Sequence, residues 1–234
     1  IAKVYAEILK DLKQDFAIIG KSKKETIFFE KKYNVKTYSG GLSKFYKRNI
    51  YIKNVIVATS IDSLYSCCMM LLNLGATNIL LEKPGALSIS ELQKIKKLSK
   101  QKGSDVHIAY NRRFYKSVIE LEKKINKSES ILSCFIDFTE RSDLIIKSKK
   151  HSIAEKNKWL FSNSSHVFDL FFFLCGHPKN IKSFVSGKTT WHPTASSFAG
   201  AGVTNKNIIF SYLADWESGG RWNIDLRTNK KKYI

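Results

Sequence analysis

The stretch Asn78-Ile79-Leu80-Leu81-Glu82-Lys83-Pro84-Gly85 decides the architecture of the first half of this chain. Its first four residues predict a short buried strand, and Pro84-Gly85 ends that strand abruptly. A helical pattern begins at Ser88. Glu82 and Lys83 therefore fall at the carboxyl end of the strand, where open α/β sheets bind their ligands. The alternative for Lys83 is a solvated lysine in a surface loop.

Strand and helix patterns alternate four times before residue 111, with short connections. This alternation predicts a parallel, doubly wound, Rossmann-like sheet over residues 1–110. The chain opens inside an amphipathic helix, so the first strand and the glycine-rich turn of a dinucleotide-binding fold are missing from it. The apolar stripe of that helix is predicted to be Ile1, Val4, Ile8, Leu9 and Leu12. The other strands are predicted at Asp15–Gly20, Tyr51–Thr59 and Val106–Tyr110, and the other helices at Lys24–Tyr33, Asp62–Leu74 and Ser88–Gln101.

Composition limits the function classes. The 234 residues carry 40 basic and 20 acidic side chains, a net charge of +20, and 43% of them are hydrophobic. Because the lysines are spread along the whole chain, nucleic-acid binding is disfavoured and the charge is attributed to solvated faces. No apolar run is long enough for a membrane span, and the four cysteines show no paired spacing. We therefore expect a cytoplasmic protein without a membrane or nucleic-acid partner.

Residues 111–234 follow a different pattern, in which alternating strands outnumber helices. This predicts a second, α+β domain with a mostly antiparallel open sheet. Large apolar residues at Ile208, Phe210 and Tyr212 are expected on an uncovered face of that sheet, which predicts a homo-oligomer, either a dimer or a tetramer. The strands are predicted at Ile131–Phe138, Ile181–Val185, Asn207–Leu213 and Trp222–Leu226.

One apolar helix interrupts these strands: Ser164-Ser165 are predicted to form its N-cap, and it ends at Gly176. His166 and Asp169 lie three residues apart, so they share one side of its first turn. They are candidates for proton-handling chemistry, and the alternative is a capping histidine beside an aspartate that favours the helix dipole. A zinc site built from His166, Cys175 and His177 is disfavoured, because structural zinc requires four ligands in paired spacings. We expect no metal.

The order of these features carries a resemblance to a known family. A truncated dinucleotide fold, Glu82-Lys83-Pro84 at a strand end, Arg112-Arg113-Phe114 at the start of the second domain, and His166-x-x-Asp169 resemble the Gfo/Idh/MocA family of sugar and inositol dehydrogenases. The resemblance covers nearly the whole chain. Residues 191–193 and 216–222 look like members from surface-polysaccharide clusters.

The resemblance implies roles for individual residues. Lys83, His166 and Asp169 would be catalytic: Lys83 orients the reacting hydroxyl, His166 exchanges its proton, and Asp169 holds a neighbouring hydroxyl or the imidazole. These three would also bind the substrate, together with Asn163. The implied cofactor-binding residues are Lys21, Ser22, Lys24, Thr59, Ser60, Glu82, Lys83, Pro84 and Arg113.

The residues after the strand at positions 15–20 predict the cofactor. NAD is selected by an acidic residue at such a strand end, but here Lys21, Ser22 and Lys24 come first and no carboxylate occurs before Glu25. Hydrogen-bond donors and positive charge suit a 2′-phosphate, so we expect NADP as the cofactor, with NAD as the alternative. The other interpretation is that these lysines only reflect the general excess of basic residues.

Three function classes remain open at this point. The first is an NAD(P)-dependent oxidoreductase acting on a sugar, nucleotide sugar or cyclitol, in surface-polysaccharide biosynthesis. The second is a non-catalytic sugar-binding or scaffold relative. Two departures from the family pattern keep it open: the glycine-rich turn is missing, and Asn163-Ser164-Ser165 replace the glycine-rich approach to the histidine. A nucleic-acid-binding protein ranks third.

Overall fold

The computed structural model describes residues 1–48, 50–148 and 151–234. These residues form two compact units, Ile1–Ala109 and Tyr110–Ile234. Each unit has its own hydrophobic core of buried side chains.

The first unit is a parallel α/β structure, as the alternating pattern predicted. Its strands form two parallel groups, β1-β2 and β3-β4-β5. In a dinucleotide-binding sheet of strand order 3-2-1-4-5-6, β2 and β1 correspond to strands 3 and 2, and β3 to β5 correspond to strands 4 to 6. The elements are α1 (Ala2–Asp11), β1 (Ala17–Gly20), α2 (Lys23–Tyr33), β2 (Lys36–Ser39), α3 (Gly41–Tyr46), β3 (Asn54–Val57), α4 (Ile61–Asn73), β4 (Asn78–Leu81), α5 (Ile89–Lys102) and β5 (Asp105–Ile108).

Strand β4, which begins the stretch of residues 78–85, lies in the middle of the three-stranded group. Ile79 and Leu81 are buried in the core of the first unit. The turn after β4 requires Gly85, which has a φ of +86° and would place a Cβ only 2.5 Å from the side chain of Ile108. Any other residue would be strained there and would collide with β5. The end of β4 is thus fixed by close packing against its neighbour strand.

The helix α1 differs from its predicted packing. Only Ala6 is buried on this helix, while Ile1, Val4, Ile8 and Leu12 of the predicted apolar stripe are 45–72% exposed. Periodicity identified the helix and the residues that share a face, but not what that face contacts.

The second unit is built on one six-stranded sheet of order β11-β10-β6-β9-β8-β7. The β6–β9 pair is parallel and the other four pairs are antiparallel, which confirms a mostly antiparallel sheet. After a 3-10 helix at Asn111–Phe114, the elements are α6 (Lys116–Ser128), β6 (Ile131–Phe138), α7 (Ser142–Lys147), α8 (Ile153–Lys156), α9 (Trp159–Ser162), α10 (Ser165–Cys175), β7 (Pro178–Ser186), β8 (Ser197–Thr204), β9 (Ile209–Asp215), β10 (Trp222–Thr228) and β11 (Lys232–Tyr233).

The expectation that Ile208, Phe210 and Tyr212 face outward is wrong. Ile208 and Phe210 are buried in the core of the second unit, Tyr212 packs against it, and the Phe210 ring lies 4.8 Å from that of Phe171 on α10. Strand alternation gives the residues that share a face without saying which face the helices cover.

The open face carries the alternate residues of the same strands. Register places Phe184 beside Ala199 and Ala199 beside Leu213, so the three share that face. Ile209 lies on it as well, four residues from Leu213 on β9. Phe184, Ile209 and Leu213 are all exposed apolar residues.

Candidate functional site

The turn after β4 holds Glu82 and Lys83 at a defined position. The Glu82 amide donates to the carbonyl of Val57 at 3.0 Å, and the Gly85 amide donates to the carbonyl of Glu82 at 3.0 Å. Glu82 thus continues the ladder between β3 and β4, and the half-buried Lys83 follows directly at the carboxyl end. The turn contains a cis peptide between Lys83 and Pro84. Both residues therefore lie at the carboxyl end of β4, where the sequence predicted them and where open α/β sheets in general bind their ligands.

The carboxylate of Glu82 is held by the first helix. The Tyr5 hydroxyl on α1 donates to Glu82 Oε1 at 2.7 Å. Burial, and then the hydrogen bond to this carboxylate, raise the pKa of Tyr5, so Tyr5 stays a neutral donor. This contact joins residues 77 positions apart, and no local pattern could have predicted it.

The other predicted cofactor residues of the first unit also follow strand ends. Lys21, Ser22 and Lys24 come directly after β1, and Thr59 and Ser60 come after β3. Lys21, Lys24, Thr59 and Ser60 are exposed.

These serines begin helices. Ser22 caps α2 by accepting a hydrogen bond from the Glu25 amide at 3.4 Å, which leaves its hydroxyl hydrogen available as a donor. Ser60 stands at the N-cap of α4 and donates to Ser63 at 3.2 Å. The exposed cations and hydroxyls after β1 and β3 thus have the chemistry that binds the hydroxyl and phosphate groups of a dinucleotide.

In the second unit, His166 stands in the first turn of α10 within an aromatic group. Its ring centroid lies 6.0 Å from that of Tyr110 and 6.2 Å from that of Trp222. The Arg112 guanidinium lies over the Trp222 ring at 4.4 Å, and burial lowers the pKa of Arg112. We use the name His166 cluster for six neighbouring residues: His166, Tyr110, Arg112, Trp222, Glu140 and Asn163.

Glu140 connects the members of this cluster. One carboxylate oxygen, Oε1, accepts hydrogen bonds from Trp222 Nε1 at 2.9 Å and from Asn163 Nδ2 at 2.8 Å. Asn163 was predicted to bind substrate, and here its amide is oriented by Glu140 beside α10. Glu140 was not predicted from the sequence, because a lone carboxylate after a strand forms no recognisable pattern. A flat indole, a guanidinium, an imidazole and a carboxylate together suit a hydroxyl-bearing ring.

Asp169 is engaged by Arg113. Arg113 Nε donates to Asp169 Oδ2 at 2.8 Å, and Nη2 donates to Oδ1, which completes a bidentate pair. The Asp169 side chain is only 9% exposed, whereas that of Arg113 is 38% exposed. The pKa of the Arg113 guanidinium is raised, most strongly by its hydrogen bond to the Asp169 carboxylate. The pair thus joins a predicted catalytic residue to a predicted cofactor-binding residue, and both roles stay predictions.

The serines before His166 differ from their predicted role. Ser164 occupies the N-cap of α10 but makes no capping hydrogen bond with its side chain. The amides of His166 and Val167 instead donate to the carbonyls of Asn163 and Ser164, at 3.4 and 3.0 Å, in the segment between α9 and α10. The stretch around Trp191, which looked like polysaccharide-cluster members, is an aromatic core: the Trp191 and Trp216 rings stack at 5.1 Å.

The described residues contain neither a cluster of metal ligands nor a helix suited to a membrane span. Within residues 1–48, 50–148 and 151–234, no three metal-ligating side chains come together as a metal site would require. None of the helices in this described part is both long and apolar enough to cross a bilayer.

Comparison with known proteins supports the architecture. Residues 2–110 match the sequence model of the oxidoreductase family GFO_IDH_MocA, with an NAD-binding Rossmann fold. The first unit thus resembles the Rossmann unit of this family in sequence. The resemblance drawn from the motifs is thereby confirmed.

Solved structures extend the likeness of fold to the whole chain. The WlbA (WbpB) dehydrogenase from Thermus thermophilus, in complex with NAD and UDP-GlcNAcA, is 17% identical with a TM-score of 0.76, covering 100% of this chain and 79% of that one. A protein described as a myo-inositol dehydrogenase from Sinorhizobium meliloti is 14% identical with a TM-score of 0.77, covering 99% and 71%. The WlbA dehydrogenase from Bordetella pertussis, in complex with NADH and UDP-GlcNAcA, is 13% identical with a TM-score of 0.76, covering 96% and 71%. No curated protein matches the chain in sequence.

Proposed function

We propose that this protein is an NAD(P)-dependent oxidoreductase that transfers a hydride between a nicotinamide cofactor and a hydroxyl-bearing carbon of a sugar, nucleotide sugar or cyclitol, in surface-polysaccharide biosynthesis in the cytoplasm. The observation that supports this most strongly is the turn after β4, which carries Lys83 at a ligand-binding strand end in the family-matched unit. The His166 cluster supplies a second group of residues suited to a hydroxylated ring.

The residues divide the chemistry between them. When bound, the nicotinamide supplies or accepts the hydride. The ammonium of Lys83 orients the reacting hydroxyl and stabilises negative charge that develops on its oxygen. As the carbon loses its hydride, the hydroxyl proton passes to a ring nitrogen of His166, and in the reverse direction His166 returns it. Asp169 holds Arg113, and Asn163 offers its amide to a substrate hydroxyl.

A turnover assay tests these roles. Lys83→Ala and His166→Ala should each lower turnover by about 10²–10⁴-fold, as expected for lost acid–base or charge stabilisation. UDP-GlcNAcA and myo-inositol serve as probes, with reduced nicotinamide followed by absorbance. Lys97→Ala, at an exposed position of α5, is the matched control and should keep wild-type turnover. Near-normal turnover in either test variant would refute its assigned role.

The cofactor preference rests on the end of β1. Lys21 and Lys24 are exposed cations beside Ser22, whose hydroxyl keeps a donor. The first carboxylate after β1, that of Glu25, belongs to the first turn of α2. This set favours the 2′-phosphate of NADP over the 2′-hydroxyl of NAD.

Titration of the protein's fluorescence with NADPH and NADH at moderate salt tests that preference. We expect tighter binding of NADPH, and a smaller difference in Lys21→Gln. Tighter binding of NADH would reverse the proposal.

The open face of the second sheet supports self-association into a dimer or tetramer. Phe184, Ile209 and Leu213 present apolar surface there, and burying it against a second copy removes it from water. Leu213→Lys should weaken association. Leu144→Lys makes the same change at an exposed site on α7 and should not. Sedimentation that shows only monomer for the wild-type protein at micromolar concentration would contradict this proposal.

A further inference from the structure

A cleft of about 840 Å³ lies in the second unit, at one end of its sheet. Its walls are residues 141–143, at the start of α7, and residues 216–221, the loop between β9 and β10. Its volume lies within the range of about 300–1,000 Å³ that small-molecule sites occupy. The sequence pattern and the proposed chemistry left this loop without a role.

Packing fixes the shape of the loop. Trp216 is fully buried under it, and the Ser142 hydroxyl donates to the Trp216 carbonyl, which ties the two walls together. A Cβ on Gly220 would lie 2.8 Å from the Thr139 side chain, so the loop approaches β6 closely at this point. Gly219 beside it faces open space. The two walls of the cleft are therefore joined to each other at the end of the sheet.

The charges that line the cleft balance. Arg141 and Asp143 form a two-point ion pair at 3.0 and 3.2 Å, and Arg221 and Glu217 are both exposed along the loop. Two guanidinium groups and two carboxylates sum to zero. A phosphate group would favour excess positive charge, whereas adjacent donors and acceptors match hydroxyl groups, each of which both donates and accepts.

The cleft adjoins the His166 cluster along two segments of chain. Glu140 belongs to the cluster and Arg141 to the cleft, and likewise Trp222 belongs to the cluster and Arg221 to the cleft. These segments lie at the same end of the sheet, because Trp222 is paired with Phe138 at the carboxyl end of β6. A ligand held at the cluster would thus have the cleft beside it.

We propose that the cleft binds an uncharged, polyhydroxylated group attached to the reacting ring, so that the substrate is a glycoside with a second sugar unit rather than a free monosaccharide or cyclitol. The proposal rests on the proposed function for the identity of the His166 cluster as the site of the reacting ring. Arg221 and Arg141 donate hydrogen bonds to hydroxyl groups of the second sugar, and Glu217 and Asp143 accept hydrogen bonds from them.

Binding measured by ¹⁹F NMR on protein labelled with fluorotryptophan tests this without any cofactor. The chain has four tryptophans, of which Trp216 and Trp222 border the cleft and Trp159 serves as an internal reference. The probes are glucose and N-acetylglucosamine, compared with maltose, cellobiose and diacetylchitobiose. Two or three additional hydrogen bonds should make at least one disaccharide bind about tenfold more tightly than its monosaccharide.

Two cleft variants identify what is recognised. Glu217→Gln and Arg221→Gln should each reduce the disaccharide's advantage several-fold, while Lys230→Gln, at an exposed turn, should leave it unchanged. If the cleft instead held phosphate, UDP-glucose would bind more tightly in Glu217→Gln and lose affinity with salt, and this result would overturn the proposal.

Equal binding of monosaccharides and disaccharides, or no binding of either, would also overturn it. A disaccharide advantage in a protein that transfers no hydride would refute the proposed function alone.

Discussion

Replacing Arg113 by Met should destabilise the second unit more than replacing Asp169 by Asn. Asp169 is only 9% exposed, so losing Arg113 leaves a buried carboxylate without its counter-charge, at a cost of about 3–5 kcal/mol. Losing the Asp169 charge leaves Arg113, at 38% exposure, able to reach water. That change removes charge-assisted hydrogen bonds and costs only about 1.5–3 kcal/mol.

Urea unfolding followed by tryptophan fluorescence measures this difference. All four tryptophans, at positions 159, 191, 216 and 222, lie in the second unit, so the signal reports on that unit alone. The double variant Arg113→Met with Asp169→Asn should be more stable than Arg113→Met by itself, because its buried carboxylate is gone. An equal or smaller cost for Arg113→Met than for Asp169→Asn, or a double variant less stable than Arg113→Met, would refute the argument.

Two further predictions follow from buried titratable groups. Burial lowers the pKa of His192 below its usual 6.5, so as the pH falls below 6.5 the unfolded chain takes up a proton that the folded chain does not. As the pH falls from 6.5 to the lowered pKa, the free energy of unfolding of the second unit should decrease by up to about 1.4 kcal/mol per pH unit more in the wild-type protein than in His192→Gln. Urea titrations in which the two proteins show the same dependence on pH would contradict this. Burial likewise raises the pKa of Cys68 to about 12 and raises that of Cys67, so a disulfide reagent should react slowly with the folded chain, first at the half-buried Cys67, and rapidly with all four cysteines in urea. Rapid reaction of Cys68 in the folded protein would show that this core opens.

The sequence predicted the parallel unit best where its signals were local. Residues 78–85 combine a continuous apolar run with a Pro-Gly stop, and the structure has β4 at Asn78–Leu81. By contrast, β2 and α3 were not predicted. Lys36–Ser39 has only four residues, half-buried at two of them, and α3 begins at glycines in the left-handed region, which look like a loop in sequence.

The second unit shows what alternation leaves undetermined. It correctly grouped Phe210 and Tyr212 of β9 on one face with Ile208, the residue before the strand, but only the packing of α10 decides that this face is the core.

The contacts of the candidate site could not be predicted for another reason. Arg113 and Asp169 are 56 residues apart, and Glu140 and Trp222 are 82 apart. Long-range polar pairs of this kind leave no period in the sequence.

The most direct test of the account is the appearance of reduced nicotinamide when the protein is mixed with NADP or NAD and a panel of sugar substrates. The panel contains UDP-GlcNAcA, myo-inositol and the disaccharides used to probe the cleft. We predict reduction with at least one of these substrates, and its loss in Lys83→Ala while cofactor binding persists. Cofactor binding without reduction by any substrate, or unchanged reduction in Lys83→Ala, would contradict the proposed hydride transfer at the end of β4.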